Sequence, residues 1–255
     1  MKMQHAKRRS AGFSLVELMV ALVVGLLLLA GVLQILLGNR ESFEAQRGIA
    51  DVQEQGRLVT FFMENVVAHA GHRVNLIADD DFLFSAEDTD DGFTLARGAV
   101  VTGLENDANG NDAVHVRFES DGNFSNCEGD PIGTPTDPEI GNFSLSVDDA
   151  GELRCNDVPL TEQDSVARFS VRYGLDTDED NVVDAYVDLP SAAQQTDVRS
   201  LRLQLLLRSR KNVLPSGAAR EYEFADNDPP FTTPDNDRRV YQFVDQTVAL
   251  RNLLP

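Results

Sequence analysis

The hydropathy pattern divides the chain early. From Phe13 to Leu37 there are 25 residues with one charge, Glu17. At 1.5 Å per residue this is roughly 37 Å of helix, enough to cross a bilayer with some tilt. No later stretch is comparable, so a single anchor is expected. Beyond Gly38 the pattern turns amphipathic. Ile49, Val52, Gly56, Val59, Phe62 and Val66 recur at spacings of three and four, while Arg40, Glu44, Arg47, Glu54 and Arg57 mark the opposite face. No proline interrupts this stretch. One helix from Phe13 to about Ala70 would be roughly 85 Å long, with Gly71 a natural stop. Gly25, Gly31, Gly38, Gly48 and Gly56 each weaken it by up to about 1 kcal/mol and invite bending or close packing.

After Gly71 the period changes to two. Strands are predicted at Ala113–Glu119, Asn142–Val147, Val166–Gly174, Ala185–Leu189, Ser200–Ser209, Arg220–Phe224 and Arg239–Leu250. Within Val166–Gly174, Phe169, Val171 and Tyr173 are expected to face inward and Arg168, Ser170 and Arg172 outward. His115 is assigned to a polar strand face. The acid-rich segment 79–91, the turn-forming NDANGND (106–112), the proline-bearing 128–141 and the Pro/Asp-rich 226–239 read as loops. The apolar strand faces need a cover, and the amphipathic half of the long helix is the obvious one. The expected class is α+β: a long N-terminal helix packed on an antiparallel sheet domain.

Charge sharpens this picture. Lys2, Lys7, Arg8 and Arg9 precede the apolar run without any acid, a bias that keeps this end in the cytoplasm and places the body on the other side. The whole chain carries −20, so the residues after Gly12 carry −24. Such a surface repels phosphates and argues against nucleic-acid binding. The two cysteines, Cys127 and Cys155, form an even set in an exported domain, which suggests a disulfide rather than two free thiols. A zinc site lacks two further ligands at suitable spacing.

Glu17 needs its own explanation, because an unpaired carboxylate at the bilayer centre costs roughly 2.5–3.5 kcal/mol. An ordinary signal anchor and a cleaved secretory signal peptide both leave it unexplained. They also leave unexplained why the basic segment ends in Gly12. The stretch GFSLVELMVALVVGLLLLAG closely resembles the class III signal of type IV prepilins and pseudopilins. That resemblance implies cleavage after Gly12 by a membrane aspartyl prepilin peptidase, methylation of the new N-terminus at Phe13, and retention of the helix. It makes Glu17 the fifth mature residue. A neighbouring subunit's Glu17 could then pair with the Phe13 amine in a low-dielectric filament core, where an unpaired carboxylate is expensive. Glu17 becomes a device for axial register in assembly.

The loop YGLDTDEDNVVDAYVDL places Asp176, Asp178, Asp180 and Asp184 at positions 1, 3, 5 and 9 of a calcium-loop pattern, with the Val182 carbonyl at position 7. It departs from the EF-hand at Asn181, where glycine belongs, and at Val187, where glutamate belongs. The competing reading is an aspartate-rich hairpin turn. A bound Ca²⁺ would be structural, letting the hairpin close. His69 and His72 stand three apart at the helix end and read as a solvated terminus rather than a metal pair. No G-x-S-x-G, P-loop or H-E-x-x-H motif occurs, and no catalytic residue is assigned.

The order of features resembles the PilW family of minor pilins. The prepilin signal is followed by QGRLVTFFMENVVAHAG, the mid-chain cysteines, YGLDTDEDNVVDAY and the late TVALRN. The resemblance implies a non-enzymatic protein that joins other minor pilins and the major pilin, primes type IV pilus assembly and sits at or near the pilus tip, where it presents an adhesin. It implies a leader 1–12, a transmembrane and assembly helix 13–37, an amphipathic extension 38–70 and an extracytoplasmic β-rich domain 71–255. The protein would sit first in the inner membrane with a periplasmic domain and later in the filament. A minor pseudopilin of a type II secretion system, and a membrane-tethered periplasmic binding protein or enzyme, are the alternatives.

Overall fold

The computed structural model describes residues 14–75, 83–105, 109–224 and 229–253. The processing residues Gly12 and Phe13 lie outside them. The chain divides into two compact units, Met1–Gln46 and Arg47–Pro255.

One helix, α1 (Leu15–His69), dominates the N-terminal part. In the first unit all its large apolar side chains from Leu15 to Leu37 are exposed. Among the described residues it is the one helix long and apolar enough to cross a membrane. In the second unit its buried positions are Gly48, Val52, Gly56, Val59, Met63, Val66 and Val67. The predicted face is therefore correct to within a residue: Ile49 is partly exposed and Met63, not Phe62, is fully buried. Gly56 lets the strand layer approach, since a Cβ there would lie 2.6 Å from the Gln242 side chain. Gly71, at φ +71, ends the helical run in the left-handed conformation that glycine adopts at no steric cost.

A two-stranded pair, β1 (Glu87–Asp88) and β2 (Thr94–Leu95), precedes the first large sheet. That sheet contains β3 (Val101–Leu104), β4 (Ala113–Ser120), β5 (Glu139–Val147), β6 (Leu153–Cys155) and β7 (Val158–Pro159), hydrogen-bonded in sequence order and antiparallel throughout. The second large sheet begins with β8 (Val166–Leu175), β9 (Ala185–Val187) and β10 (Val198–Arg208). A small pair, β11 (Glu221–Tyr222) and β12 (Phe231–Thr232), follows. The last strand, β13 (Tyr241–Ala249), joins the second sheet in the order β13-β10-β8-β9.

One hydrophobic core joins both large sheets to α1. Val114, Val116 and Phe118 of β4, Phe169, Val171 and Tyr173 of β8, and Leu201, Leu203, Leu205 and Leu207 of β10 belong to it. Val52, Val59, Met63, Val66 and Val67 of the helix close it from one side. The short strands β1, β2, β3, β6, β7 and β12 are absent from the sequence-based expectation. They span two to four residues each, too few for a period of two to register.

The outward faces differ from expectation. Arg168, Ser170 and Arg172 are buried, not solvent-facing. Residues after β11 cover Arg168, whose Nη1 donates to the Pro229 carbonyl at 2.9 Å and whose guanidinium lies over the Phe224 ring, while Arg172 meets Asp188 and the Tyr186 carbonyl at β9. His115 is buried too, against Ser144 Oγ at 2.8 Å and the Phe93 ring, and burial lowers its pKa. Arg117, on the same strand face, donates to the carbonyls of Ala99, Ser85, Phe84 and Ala96. One guanidinium thereby holds the segment before β3 over the outer face of β4, using donors that a buried cation must otherwise leave unmet.

Candidate assembly and cation sites

Glu17 lies in the first turn of α1, exposed like its apolar neighbours. No cation stands near it in the apolar part of the helix: the residues from Leu15 to Leu37 contain none. A carboxylate near a helix N-terminus is favoured by the orphan N–H groups there. In a medium of low dielectric it would still need a positive partner from outside the chain segment.

Cys127 and Cys155 are joined by a disulfide with Cα atoms 5.8 Å apart. The bond ties the excursion between β4 and β5 to β6. Next to it Phe124 stands between two histidines, its ring 4.2 Å from His69 and 4.7 Å from His72, both edge-on. His69 Nδ1 meets the Asn65 carbonyl and His72 Nδ1 the Glu119 carbonyl. The expectation of a solvated helix terminus is therefore corrected: burial by the disulfide-tied excursion lowers the His69 pKa, partly offset by the Asn65 contact.

The acidic loop connects β8 to β9. Asp176 follows β8 directly, and its side chain is wholly buried. Its carboxylate accepts the N–H of Asp180 at 3.2 Å and of Asn181 at 3.0 Å, and Arg199 Nε lies 3.4 Å away. Glu179 and Asn181 both adopt positive φ, which wraps the backbone around that carboxylate. Asp184 accepts from Thr177 N at 2.8 Å and Thr177 Oγ1 at 2.7 Å, contacts that lower its pKa. Asp180 Oδ1 accepts the Val182 N–H at 2.8 Å.

Oxygens of Asp176, Asp178 and Asp184 lie within 4.8 Å of one another. The loop thus brings together three of the four predicted carboxylates, with Asp180 used as a turn-former instead. The spacing suits a hard cation with oxygen ligands at 2.3–2.6 Å. Asp178 is the group that would gain most, because Asp180 and Asp184 repel its charge and raise its pKa. Arg199 escaped the sequence reading. It lies 23 positions from Asp176, and only the pairing of β10 with β8 brings the two together.

The family described as type IV pilus-assembly protein W matches residues 152–252. The prokaryotic N-terminal methylation motif matches residues 7–33, which include Gly12, Phe13 and Glu17. No curated protein matches the chain. Among solved structures, a type IV-like pilin from Thermus thermophilus superposes with a TM-score of 0.51 at 16% identity, over 80% of this chain and 97% of that one. At that identity the likeness is one of fold. The first match reads the late strands and the second the helix start, and the superposition supports the fold that links them. The chain has a type IV pilin-like fold, with a prepilin-type methylation motif at its start and a segment, 152–252, that matches the type IV pilus-assembly protein W family.

Proposed function

We propose that this protein is a minor pilin that primes type IV pilus assembly and takes its place at or near the pilus tip. The observation that carries the reading is the position of Glu17. It is the one charge in the apolar run, in the first helical turn and five places after Gly12, inside a matched methylation motif. Prepilin peptidase removes residues 1–12 on the cytoplasmic side and leaves Phe13 with a methylated cationic amine. That amine pairs with the Glu17 carboxylate of an adjacent subunit. The pair fixes axial register among apolar helices, where either charge alone is costly. Residues 13–37 serve as the membrane and assembly helix, 38–70 as its amphipathic extension and 71–255 as the periplasmic domain. Its partners are the other minor pilins, the major pilin and a tip adhesin.

The test is direct. Gly12→Ala leaves the 12-residue leader in place, read by mass spectrometry of the protein from its native membrane. Glu17→Ala is still cleaved but fails to enter pili. Normal piliation with Glu17→Ala overturns the register role. Loss of protein secretion with intact twitching would assign the chain to a type II secretion pseudopilus instead.

The acidic loop binds Ca²⁺ as a structural ion in this reading, through Asp176, Asp178 and Asp184. The support is the convergence of three carboxylates and the mutual repulsion that raises the Asp178 pKa. Calorimetry on the full chain in detergent should show calcium binding that Asp178→Ala weakens at least about tenfold. No heat at millimolar calcium ends the idea.

A further inference from the structure

Asparagine with serine or threonine two places on, and no proline between, is the acceptor pattern for N-linked sugar. The chain holds this pattern twice, each time as Asn-Phe-Ser: Asn123-Phe124-Ser125 and Asn142-Phe143-Ser144. The two triplets are identical in sequence, and the fold separates them.

The first triplet lies in the excursion between β4 and β5. Asn123 and Ser125 are exposed, while Phe124 between them turns inward against the rings of His69 and His72. The backbone around them is held: the Phe124 carbonyl accepts from Ile132 N at 2.9 Å, and Asn126 N donates to the Asp130 carbonyl at 2.8 Å. Both polar side chains of the triplet are thus presented outward on a fixed piece of chain. Asn123 Nδ2, the atom that carries the sugar in such acceptors, donates to the exposed Asp121 Oδ1 at 2.6 Å. Asn123 also stands on an open cleft of about 400 Å³, shared with Phe61, Asn65 and His69. Phe61 is 66% exposed. The acceptor therefore has free room beside it and an uncovered ring against which a sugar can lie.

The second triplet is closed. It lies within β5, where Asn142 pairs with Arg117 of β4. Ser144 is buried, its hydroxyl meets His115 Nδ1 at 2.8 Å, and its N–H donates to Asn156 Oδ1 at 2.8 Å. The Asn142 Oδ1 atom is itself buried. A glycan is bulky and hydrophilic and belongs on a surface, so one at Asn142 would break the strand pairing. The residue two places before differs as well. Asp121 precedes Asn123, whereas Ile140 precedes Asn142. An anion beside the acceptor gives an incoming enzyme a grip for a charge-assisted contact.

We propose that Asn123 is a site of N-glycosylation and that Asn142 is not. The co-substrate is a glycan activated at its anomeric carbon as a lipid-linked pyrophosphate, used by a membrane transferase outside the cytoplasm. Asn123 Nδ2 bonds to the anomeric carbon. The bond from that carbon to the pyrophosphate oxygen breaks, and the lipid pyrophosphate leaves with the electron pair. One Nδ2 proton passes to a base of the transferase. The attached sugar then stands over the cleft beside Phe61. This inference rests on the extracytoplasmic placement of residues 71–255 proposed above. The Cys127–Cys155 bond accords with such surroundings.

The experiment uses the full chain purified from its native membrane. After reduction, its tryptic peptide 118–154 carries both asparagines, and fragmentation in a mass spectrometer locates the sugar. The peptide should bear a glycan on Asn123 and none on Asn142. Asn123→Gln and Ser125→Ala should each abolish the added mass. Ser125→Thr, which keeps a hydroxyl at that place, should retain it. All three changes fall on exposed side chains, so the variants remain folded. A bare peptide from the wild type overturns the proposal. So does a glycan on Asn142, and so does one that survives Asn123→Gln, which would set it on a hydroxyl. Thiol alkylation in the same membranes separates two causes of failure. A bare Asn123 with Cys127 and Cys155 coupled overturns the site alone. A bare Asn123 with both thiols free overturns the extracytoplasmic placement with it.

Discussion

Arg199 Nε stands 3.4 Å from the Asp176 carboxylate, and the aspartate side chain has no solvent exposure at all. Two backbone N–H groups from the following loop complete its surroundings. Asp176 is thus first of all a loop-former, and any cation it binds comes in addition. Asp176→Ala should cost about 3 kcal/mol, because it leaves Arg199 and two N–H donors facing a void. Urea unfolding of the calcium-free protein measures this.

Asp178 should behave in the opposite way. It is fully exposed, and repulsion by Asp180 and Asp184 raises its pKa. A carboxyl group with a raised folded pKa favours the native state below its unfolded pKa, and that contribution is lost as pH rises through the folded value. Without calcium, Asp178→Asn should therefore be neutral or stabilising at pH 7 and indistinguishable from the wild type near pH 3. Thermal unfolding at the two pH values, with a chelator present, checks the sign.

The disulfide closes a separation of 28 residues. In the chain-entropy description that is worth roughly 3.5 kcal/mol. The paired Cys127→Ser, Cys155→Ser variant should melt about 10 °C lower. Hydrogen exchange should show the loss first in the excursion that carries Phe124, where His69 and His72 depend on the tied loop.

Arg117 makes four hydrogen bonds to carbonyls of the segment before β3. Arg117→Lys keeps the charge but cannot span that fork of acceptors. It should lose about 3 kcal/mol, with rapid exchange confined at first to residues 83–100. Uniform loss of protection across both large sheets would show that Arg117 supports the core rather than the overlying segment.

Gly103 lies directly beneath the buried Tyr173 hydroxyl, which a Cβ at that position would meet. It is also close to the Ala113 carbonyl, 2.6 Å from the same Cβ. Gly103→Ala should therefore destabilise by about 2 kcal/mol. Adding Tyr173→Phe should recover part of that loss and not all of it, because the carbonyl remains. A double-mutant cycle by denaturant unfolding separates the two contacts.

Much of this was legible in the chain itself. Glu17 stands alone among apolar residues, and the spacing of Val52, Gly56, Val59 and Val66 marks the helix face. The alternation in β4, β8 and β10 gave their positions to within a few residues. What could not be read were the second faces. Arg117, His115, Arg168 and Arg172 fall on the polar side of alternating strands, and period-two logic sends such residues to water. Arg117, His115 and Arg168 are buried because segments at 83–100 and after β11 fold back over the sheets, and Arg172 because the edge strand β9 and Asp188 lie against it. Their carbonyls and rings are supplied from distant positions, with no local sequence signal. The same blindness hid Arg199, which only the pairing of β10 with β8 brings to Asp176.

A chain still in a reducing compartment lacks the Cys127–Cys155 bond. Its β4–β5 excursion is then untethered, and the helix end loses the cover that Phe124 gives it. Oxidation of the two thiols is thus the step that ties this excursion down over the helix end.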